Sequence, residues 1–202
     1  MYPLSYELGI GLPFVLAVGT LEPRKNLITL LRAFEQVLRT CPNPLQLVIA
    51  GRKGWLVADL FDDLKRSTAA GHIICTGYLS DEELCALYSS CSGFIYPSIY
   101  EGFGLPPLEA MACGAPVIAS RIASIEEVTG SAARLFPPEN VTELRDAILE
   151  LLGTKRSDEG ARIRERLSVT GRRHAAESSW AIGARSTARV YAEAIERFHH
   201  RA

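Results

Sequence analysis

The stretch Gly93-Phe94-Ile95-Tyr96-Pro97-Ser98-Ile99-Tyr100-Glu101-Gly102-Phe103-Gly104-Leu105-Pro106-Pro107-Leu108-Glu109-Ala110-Met111-Ala112-Cys113-Gly114 reads as strand, glycine loop and helix in immediate succession. Gly93–Tyr96 is short and apolar, as a buried strand is. Pro106-Pro107 suits the opening of a helix and Gly114 its end. A second apolar run, Pro116–Ala119, follows at once. Strand, helix and strand so closely joined predict a parallel pair.

Working outward, four more short runs read as strands: Phe14–Val18, Gln46–Ala50, His72–Cys75 and Ala133–Phe136. They alternate with helical patterns. Leu27, Leu30, Leu31, Phe34, Val37 and Leu38 place Asn26–Arg39 on an amphipathic helix, with Asn26 as its N-cap. Ser80 with Glu83, Ser124 with Glu127 and Asn140 with Glu143 have the capping-box spacing and mark three further helix starts. Gly153–Gly160 is polar enough for an exposed loop. Beyond it, residues 178–202 carry Trp180, Ile182, Ala188, Tyr191, Ile195 and Phe198 on a loose apolar stripe, which predicts a terminal helix that needs a surface to cover it. The expected fold is α/β: a Rossmann-like parallel sheet with helices on both faces over residues 1–177, plus a C-terminal helix.

The chain has 202 residues, 48% of them hydrophobic, enough for one substantial core but not two. Its 22 basic and 23 acidic side chains nearly cancel, so bulk charge favours neither nucleic acid nor an anionic membrane. Any anion must be held by a local site. Cys41, Cys75, Cys85, Cys91 and Cys113 lie in apolar runs without a C-x-x-C pair, which suits reduced core residues. His72, His174, His199 and His200 have no metal-like spacing, so no metal site is expected. No run approaches the roughly 20 apolar residues of a membrane span, and the N-terminus lacks signal-peptide character. These features suit a soluble, cytoplasmic protein. The linker-like residues 2–9 ahead of the first strand suit a fragment of a longer chain.

Glycines 102 and 104 let backbone N–H groups approach an anion, and the helix start adds its positive dipole end. In an open parallel sheet this loop falls at the carboxyl edge, where ligands bind. Glu101 and Glu109, eight positions apart, flank it. Carboxylates accept strongly from hydroxyls and so suit sugar hydroxyls beside a phosphate. The bland alternative is an exposed loop acid and an early-helix acid.

A second loop at the same edge, Gly19-Thr20-Leu21-Glu22-Pro23-Arg24-Lys25-Asn26, brings two adjacent cations. They could neutralise a diphosphate and stabilise it as a leaving group. Two other strand-ending loops are weaker signals. Arg52-Lys53 reads as a solvated turn, and Tyr78 either touches a ligand or packs.

The segment from Glu101 to Ile118 resembles the E-x7-E signature of retaining GT-B glycosyltransferases, and Glu22-Pro23-Arg24-Lys25-Asn26 resembles that family's phosphate-contacting loop. The resemblance covers almost the entire chain from Leu12 onward. It implies that Glu101 contacts the donor sugar, Gly102, Phe103, Gly104 and Leu105 bind the diphosphate, and Glu109 holds the ribose. Arg24 and Lys25 would act as catalytic cations, with Gly19 and Thr20 beside the donor and Tyr78 beside the base. Some relatives carry an arginine where this chain has Thr20, which shifts the phosphate load to Arg24 and Lys25.

The same resemblance implies that this is the C-terminal, donor-binding half of a two-domain enzyme. The whole would move a hexose, with mannose from a GDP-linked donor as the expectation, to a saccharide or lipid-linked acceptor with retention and without a metal or other cofactor. Such an enzyme would serve cell-surface polysaccharide synthesis, at the inner face of the cytoplasmic membrane through peripheral association. The terminal helix would cross to the absent N-terminal domain or support self-association. A nucleotide-sugar epimerase of the same architecture and a non-catalytic nucleotide-sugar module stay open as alternatives. A glycosidase using Glu101 and Glu109 leaves the glycine loop and the cations without a job.

Overall fold

The computed structural model describes residues 8–11, 13–41, 43–153 and 157–199. Six strands form one sheet: β1 (Phe14–Val18), β2 (Gln46–Ala50), β3 (Ile73–Gly77), β4 (Gly93–Tyr96), β5 (Val117–Ser120) and β6 (Ala133–Phe136). Their order is β3-β2-β1-β4-β5-β6, with every neighbouring pair parallel. This is the doubly wound order whose direction reverses between β1 and β4, the switch point where a crevice opens at the carboxyl ends of the strands.

The helices are α1 (Leu27–Thr40), α2 (Ala58–Arg66), α3 (Asp81–Ser90), α4 (Leu105–Ala112), α5 (Ala123–Thr129), α6 (Val141–Leu152), α7 (Ser157–Ala176) and α8 (Trp180–His199). Strand alternation sorts the core into two layers. Val15, Ala17, Leu47 and Ile49 face Leu30, Phe34 and Val37 of α1 and Leu144, Ile148 and Leu151 of α6. Phe14, Leu16, Val48, Phe94 and Tyr96 face Leu87 and Tyr88 of α3, Met111 of α4 and Ile125 of α5. Helices therefore cover both faces, because near-continuous apolar strands must be buried on both sides.

Several local expectations shift. The third strand begins at Ile73, because His72 belongs to a 3-10 turn over Ala70–His72. The fifth runs Val117–Ser120, since Pro116 has no N–H to give the ladder. Asn26 occupies the N-cap position of α1, as expected, but makes no side-chain capping bond: its φ is +53°, and its side chain donates to the Pro97 carbonyl at 3.2 Å while accepting from the Thr29 hydroxyl at 2.8 Å. It stitches the loop after β1 to the loop after β4. Ser80 makes a full capping box with Glu83, and Asn140 accepts from the Glu143 amide. Ser124 does not cap, because α5 already starts at Ala123 with Ile122 ahead of it.

The polar Gly153–Gly160 segment is not all loop, since α7 starts at Ser157; residues 154–156 lie outside the described residues, as do residues 2–7 of the linker-like stretch and His200. The α7 helix has no counterpart among the expected elements. Its sequence is strongly polar, and it packs along α4 and α6 through few apolar residues such as Leu167.

The cysteines are free; Cys41, Cys91 and Cys113 are partly buried and pack against the core as expected, whereas Cys75 and Cys85 are exposed. Cys75 lies on β3, an edge strand that leaves one flank open. Burial still pushes the Cys91 thiol up to about 12. The α8 helix is exposed along its described length, with Trp180 at 86%. No described helix is long and apolar enough to cross a membrane.

Candidate functional site

The loops after β1 and β4 meet above the switch point. Pro23–Lys25 turns once as a 3-10 helix, and the Ile99 amide donates to the Arg24 carbonyl at 2.9 Å. That bond fixes the spacing of the two loops. Gly19, at φ +143°, leaves room that a side chain would take, because a Cβ there would lie 3.1 Å from Lys25 Cε. The Lys25 stem can therefore fold back over the end of β1 and reach β4.

Glu101 joins the cations. Its Oε1 accepts from Lys25 Nζ at 2.5 Å and from the Tyr96 hydroxyl at 2.8 Å, and its Oε2 accepts from Arg24 Nη1 at 2.6 Å. Lys25 Nζ also donates to the Tyr96 hydroxyl at 2.8 Å. Burial works to raise the Glu101 pKa, but hydrogen bonds led by Lys25 and Tyr96 outweigh it and hold the carboxyl below its ordinary value. Burial likewise works to lower the Arg24 pKa, but Glu101 and Glu22 overrule it and raise it. Tyr96 is pushed up mainly by burial, then by its bond to Glu101, so its phenol keeps its proton and stays a donor.

A second carboxylate completes the cluster. Glu22 Oε1 meets Arg24 Nη2 at 2.5 Å, and Glu22 Oε2 accepts from the exposed Trp55 indole at 2.9 Å. Three strand-edge loops are thus tied together by side chains carrying two positive and two negative charges.

Gly104 begins α4 at φ +105°, and a Cβ there would meet Ile125 Cδ1 at 2.5 Å. Gly102 faces open space. Pro106 and Pro107 occupy the second and third helical positions and have no N–H, so this helix end has only the amides of Gly104 and Leu105 to offer, preceded by those of Gly102 and Phe103. An anion there leans on Arg24 and Lys25 more than at a proline-free helix start.

Beside this cluster a cleft of about 390 Å³ opens between the ends of β1, β2 and β3. Gly19, Thr20, Gly51, Arg52, Tyr78 and Asp81 are among its lining. Arg52 is not a merely solvated turn residue: its guanidinium lies 4.2 Å from the centroid of the Tyr78 ring. Lys53 likewise sits 4.5 Å from the Phe61 ring centroid.

The structure therefore brings Arg24, Lys25 and Glu101 into one contact network, with Gly19 against Lys25 and with Thr20 and Tyr78 in the adjoining cleft. Gly102, Phe103, Gly104 and Leu105 lead from Glu101 into α4. Glu109 stands apart from that network, on α4, accepting from the Tyr88 hydroxyl at 3.2 Å. Tyr96, Glu22, Trp55 and Arg52 were not anticipated as site residues. Tyr96 reads in sequence as one more apolar strand residue, and only its phenol end, at the strand's carboxyl terminus, hints otherwise. Among the described residues no group of three or more His, Cys, Asp or Glu side chains is placed to hold a metal ion.

Fold and site define a doubly wound α/β domain with a cluster of paired charges at its switch point, the architecture of one half of a GT-B fold. The chain belongs to the family described as glycosyl transferases group 1, whose model matches residues 7–173. It is 41% identical over 139 residues to O-antigen chain mannosyltransferase B of Escherichia coli, covering 69% of this chain and 36% of that protein. To the MMP alpha-(1->4)-mannosyltransferase of Mycolicibacterium hassiacum it is 45% identical over 123 residues, covering 59% of this chain and 28% of the relative.

Among solved structures, sucrose-phosphate synthase from Thermosynechococcus elongatus matches with a TM-score of 0.80 at 26% identity, over 98% of this chain and 49% of that one. Anabaena HepE in complex with UDP and glucose matches in fold with a TM-score of 0.77 at 22% identity, over 96% of this chain and 50% of that one. The chain thus spans half or less of each of these proteins.

Proposed function

We propose that this chain is the donor-binding domain of a retaining, metal-independent hexosyltransferase of polysaccharide synthesis. The donor is a nucleotide diphosphate sugar, with GDP-mannose as the first choice because the two sequence relatives named above, from Escherichia coli and Mycolicibacterium hassiacum, are mannosyltransferases. The acceptor, a saccharide or lipid-linked saccharide, is met by a second domain. The enzyme works in the cytoplasm, associated peripherally with the inner face of the membrane. The observation that carries this reading is the convergence of Arg24, Lys25 and Glu101 beside the Gly102–Leu105 loop at the switch point.

In this reading the nucleotide base occupies the cleft lined by Tyr78 and Arg52, on the β1–β3 side of the cations, and the ribose reaches toward Glu109 on α4. The diphosphate lies against Arg24, Lys25 and the amides at the start of α4. As the sugar leaves, negative charge grows on the departing phosphate, and the two cations stabilise it in place. Glu101 is a poor covalent nucleophile, since its carboxylate already accepts from three donors, two of them cations. Attack by the acceptor hydroxyl on the face the diphosphate leaves fits that arrangement. Glu101 then orients the cations as well as the sugar.

Two dependent expectations belong to the same reading. The isolated chain turns over little or no donor, because the acceptor side of the cleft is absent. The apolar stripe of α8 covers itself on the second domain or, without it, on another copy of the chain. Calorimetric titration with GDP, UDP and ADP and with their sugar conjugates tests donor binding. Micromolar to millimolar affinity for one nucleotide series, weakened about tenfold or more by Glu109→Ala through a lost charge-assisted hydrogen bond, is the expected outcome. Absence of binding to every nucleotide would refute the assignment, and unchanged affinity in Glu109→Ala would remove the ribose role.

A further inference from the structure

Arg24 and Lys25 are not waiting as bare cations. Each positive charge is matched by a carboxylate, so the cluster of Glu22, Arg24, Lys25 and Glu101 is formally neutral. A diphosphate entering it has to compete for Arg24. Glu101 is tied to Lys25 and Tyr96 as well and is fixed on both sides. Glu22 is tied differently. Its side chain is only 11% exposed, one carboxylate oxygen meets Arg24 and the other accepts the Trp55 indole N–H. That indole hydrogen bond holds the carboxylate in place while leaving it dependent on a surface loop.

The backbone of Glu22 has a separate job. Its carbonyl accepts from the Lys25 amide at 3.0 Å to close the 3-10 turn, whereas its side chain makes no cap bond. The carboxylate takes no part in closing that turn.

We propose that Glu22, held by Trp55, is a positioning residue and built-in competitor for the diphosphate: it presents Arg24 toward the donor site and limits how tightly the nucleotide product is retained. The inference rests on the reading that Arg24 and Lys25 bind the donor's diphosphate. Without the Glu22 charge, Arg24 is still held by Glu101 at 2.6 Å and by the Tyr100 carbonyl at 3.3 Å. The positioning contribution of Glu22 is therefore the smaller effect. The larger one is electrostatic: a unit negative charge against the same guanidinium that must face the phosphates. At a separation of roughly 6 Å and an effective dielectric of about 40, between surface and bulk values, that repulsion corresponds to about tenfold in affinity.

The experiment is titration of the full chain, Glu22→Gln and Glu22→Asp with GDP, UDP and ADP at low and high salt, with stopped-flow measurement of nucleotide release. Thermal melts confirm that each variant is folded. Glu22→Gln is expected to bind the preferred nucleotide about tenfold tighter at low salt, to release it more slowly, and to lose most of that advantage at high salt as screening sets in. Glu22→Asp, which keeps the charge, is expected to return toward the wild-type affinity.

Equal or weaker binding by folded Glu22→Gln, with the wild type binding normally, overturns the inference and leaves the donor-site reading intact. Equal tightening in Glu22→Asp also overturns it, since the charge would then not be the cause. If no nucleotide binds to the folded wild type, the donor-site reading falls and this inference falls with it.

Discussion

Replacing Glu101 by Gln keeps the outline of the side chain and removes the charge that joins Arg24 to Lys25. The carboxylate accepts Arg24 Nη1 at 2.6 Å, Lys25 Nζ at 2.5 Å and the Tyr96 hydroxyl at 2.8 Å. Removing one partner of a fully buried ion pair costs about 3–5 kcal/mol. Arg24, however, is 38% exposed and retains Glu22, so water screens that half and it contributes no more than about 1 kcal/mol. The Lys25 half carries most of the loss, because both side chains are nearly buried, at 10% and 9% exposure. A total of about 2–3 kcal/mol follows. In a chain of this size each kcal/mol moves the thermal midpoint by about 2–4 °C, so a drop of roughly 4–12 °C is expected at neutral pH.

The pH dependence has a fixed sign. Glu101 titrates below its ordinary 4.5 in the folded chain, so between those two values the unfolded chain binds more protons. Its stabilising contribution is full above the ordinary value and is lost as pH falls through the depressed one. Calorimetric melts of wild type and Glu101→Gln across acid pH therefore show a gap that is widest near neutrality and narrows in acid. An unchanged midpoint at neutral pH would refute the reasoning, as would a gap that stays constant into strong acid.

Tyr96→Phe deletes the buried hydroxyl that accepts from Lys25 and donates to Glu101, and should cost about 1–2 kcal/mol by denaturant midpoint. Because that donor helps hold Glu101 low, the acid limb of the variant's stability curve also moves to higher pH. Gly104→Ala forces a Cβ into Ile125 and a residue into φ +105°, with an expected loss of about 2 kcal/mol or more; Gly102→Ala, which faces open space, should stay within about 1 kcal/mol in the same melts. Ser80→Ala breaks the capping box of α3 and should cost about 1 kcal/mol, with faster hydrogen exchange at the Glu83 amide.

The six strands, their parallel sense and the coverage of both faces are legible because buried parallel strands leave dense apolar runs, and the runs here are separated by amphipathic helices. Boundaries slip by a residue or two where a neighbour decides them, as at His72 and Pro116. The α7 helix is not legible, since it packs through few apolar positions in a polar sequence. Cys75 misleads for a related reason: an apolar run does not say which strand will sit at the sheet edge, and Cys75 ends up on it.

At the site, Arg24, Lys25 and Glu101 are legible from type and position, because adjacent cations at a strand-to-helix loop have little structural reason to be there. Their mutual pairing is not, and neither is the Glu22–Trp55 contact. Both depend on where loops from β1, β2 and β4 meet, which local pattern does not encode. Asn26 makes the same point from the other side. It sits at the helix cap position, yet its side chain ties two loops together across the switch point.

The strand order has a consequence for how this cluster comes into being. Arg24 and Glu101 are 77 residues apart in sequence and become neighbours only because β4 pairs with β1 rather than with β3. The first three strands form a contiguous unit through β1–β2 and β2–β3 pairing, and that unit contains both cations but neither Glu101 nor Tyr96. Until the chain returns across the sheet, Lys25 has no acid to neutralise it and no phenol to hold it. The binding site is therefore not carried by any local segment. It closes only when β4 pairs with β1, so a chain cut between β3 and β4 would keep half of the sheet and the Glu22–Arg24 pair but lose Glu101 and Tyr96, the groups that hold Lys25.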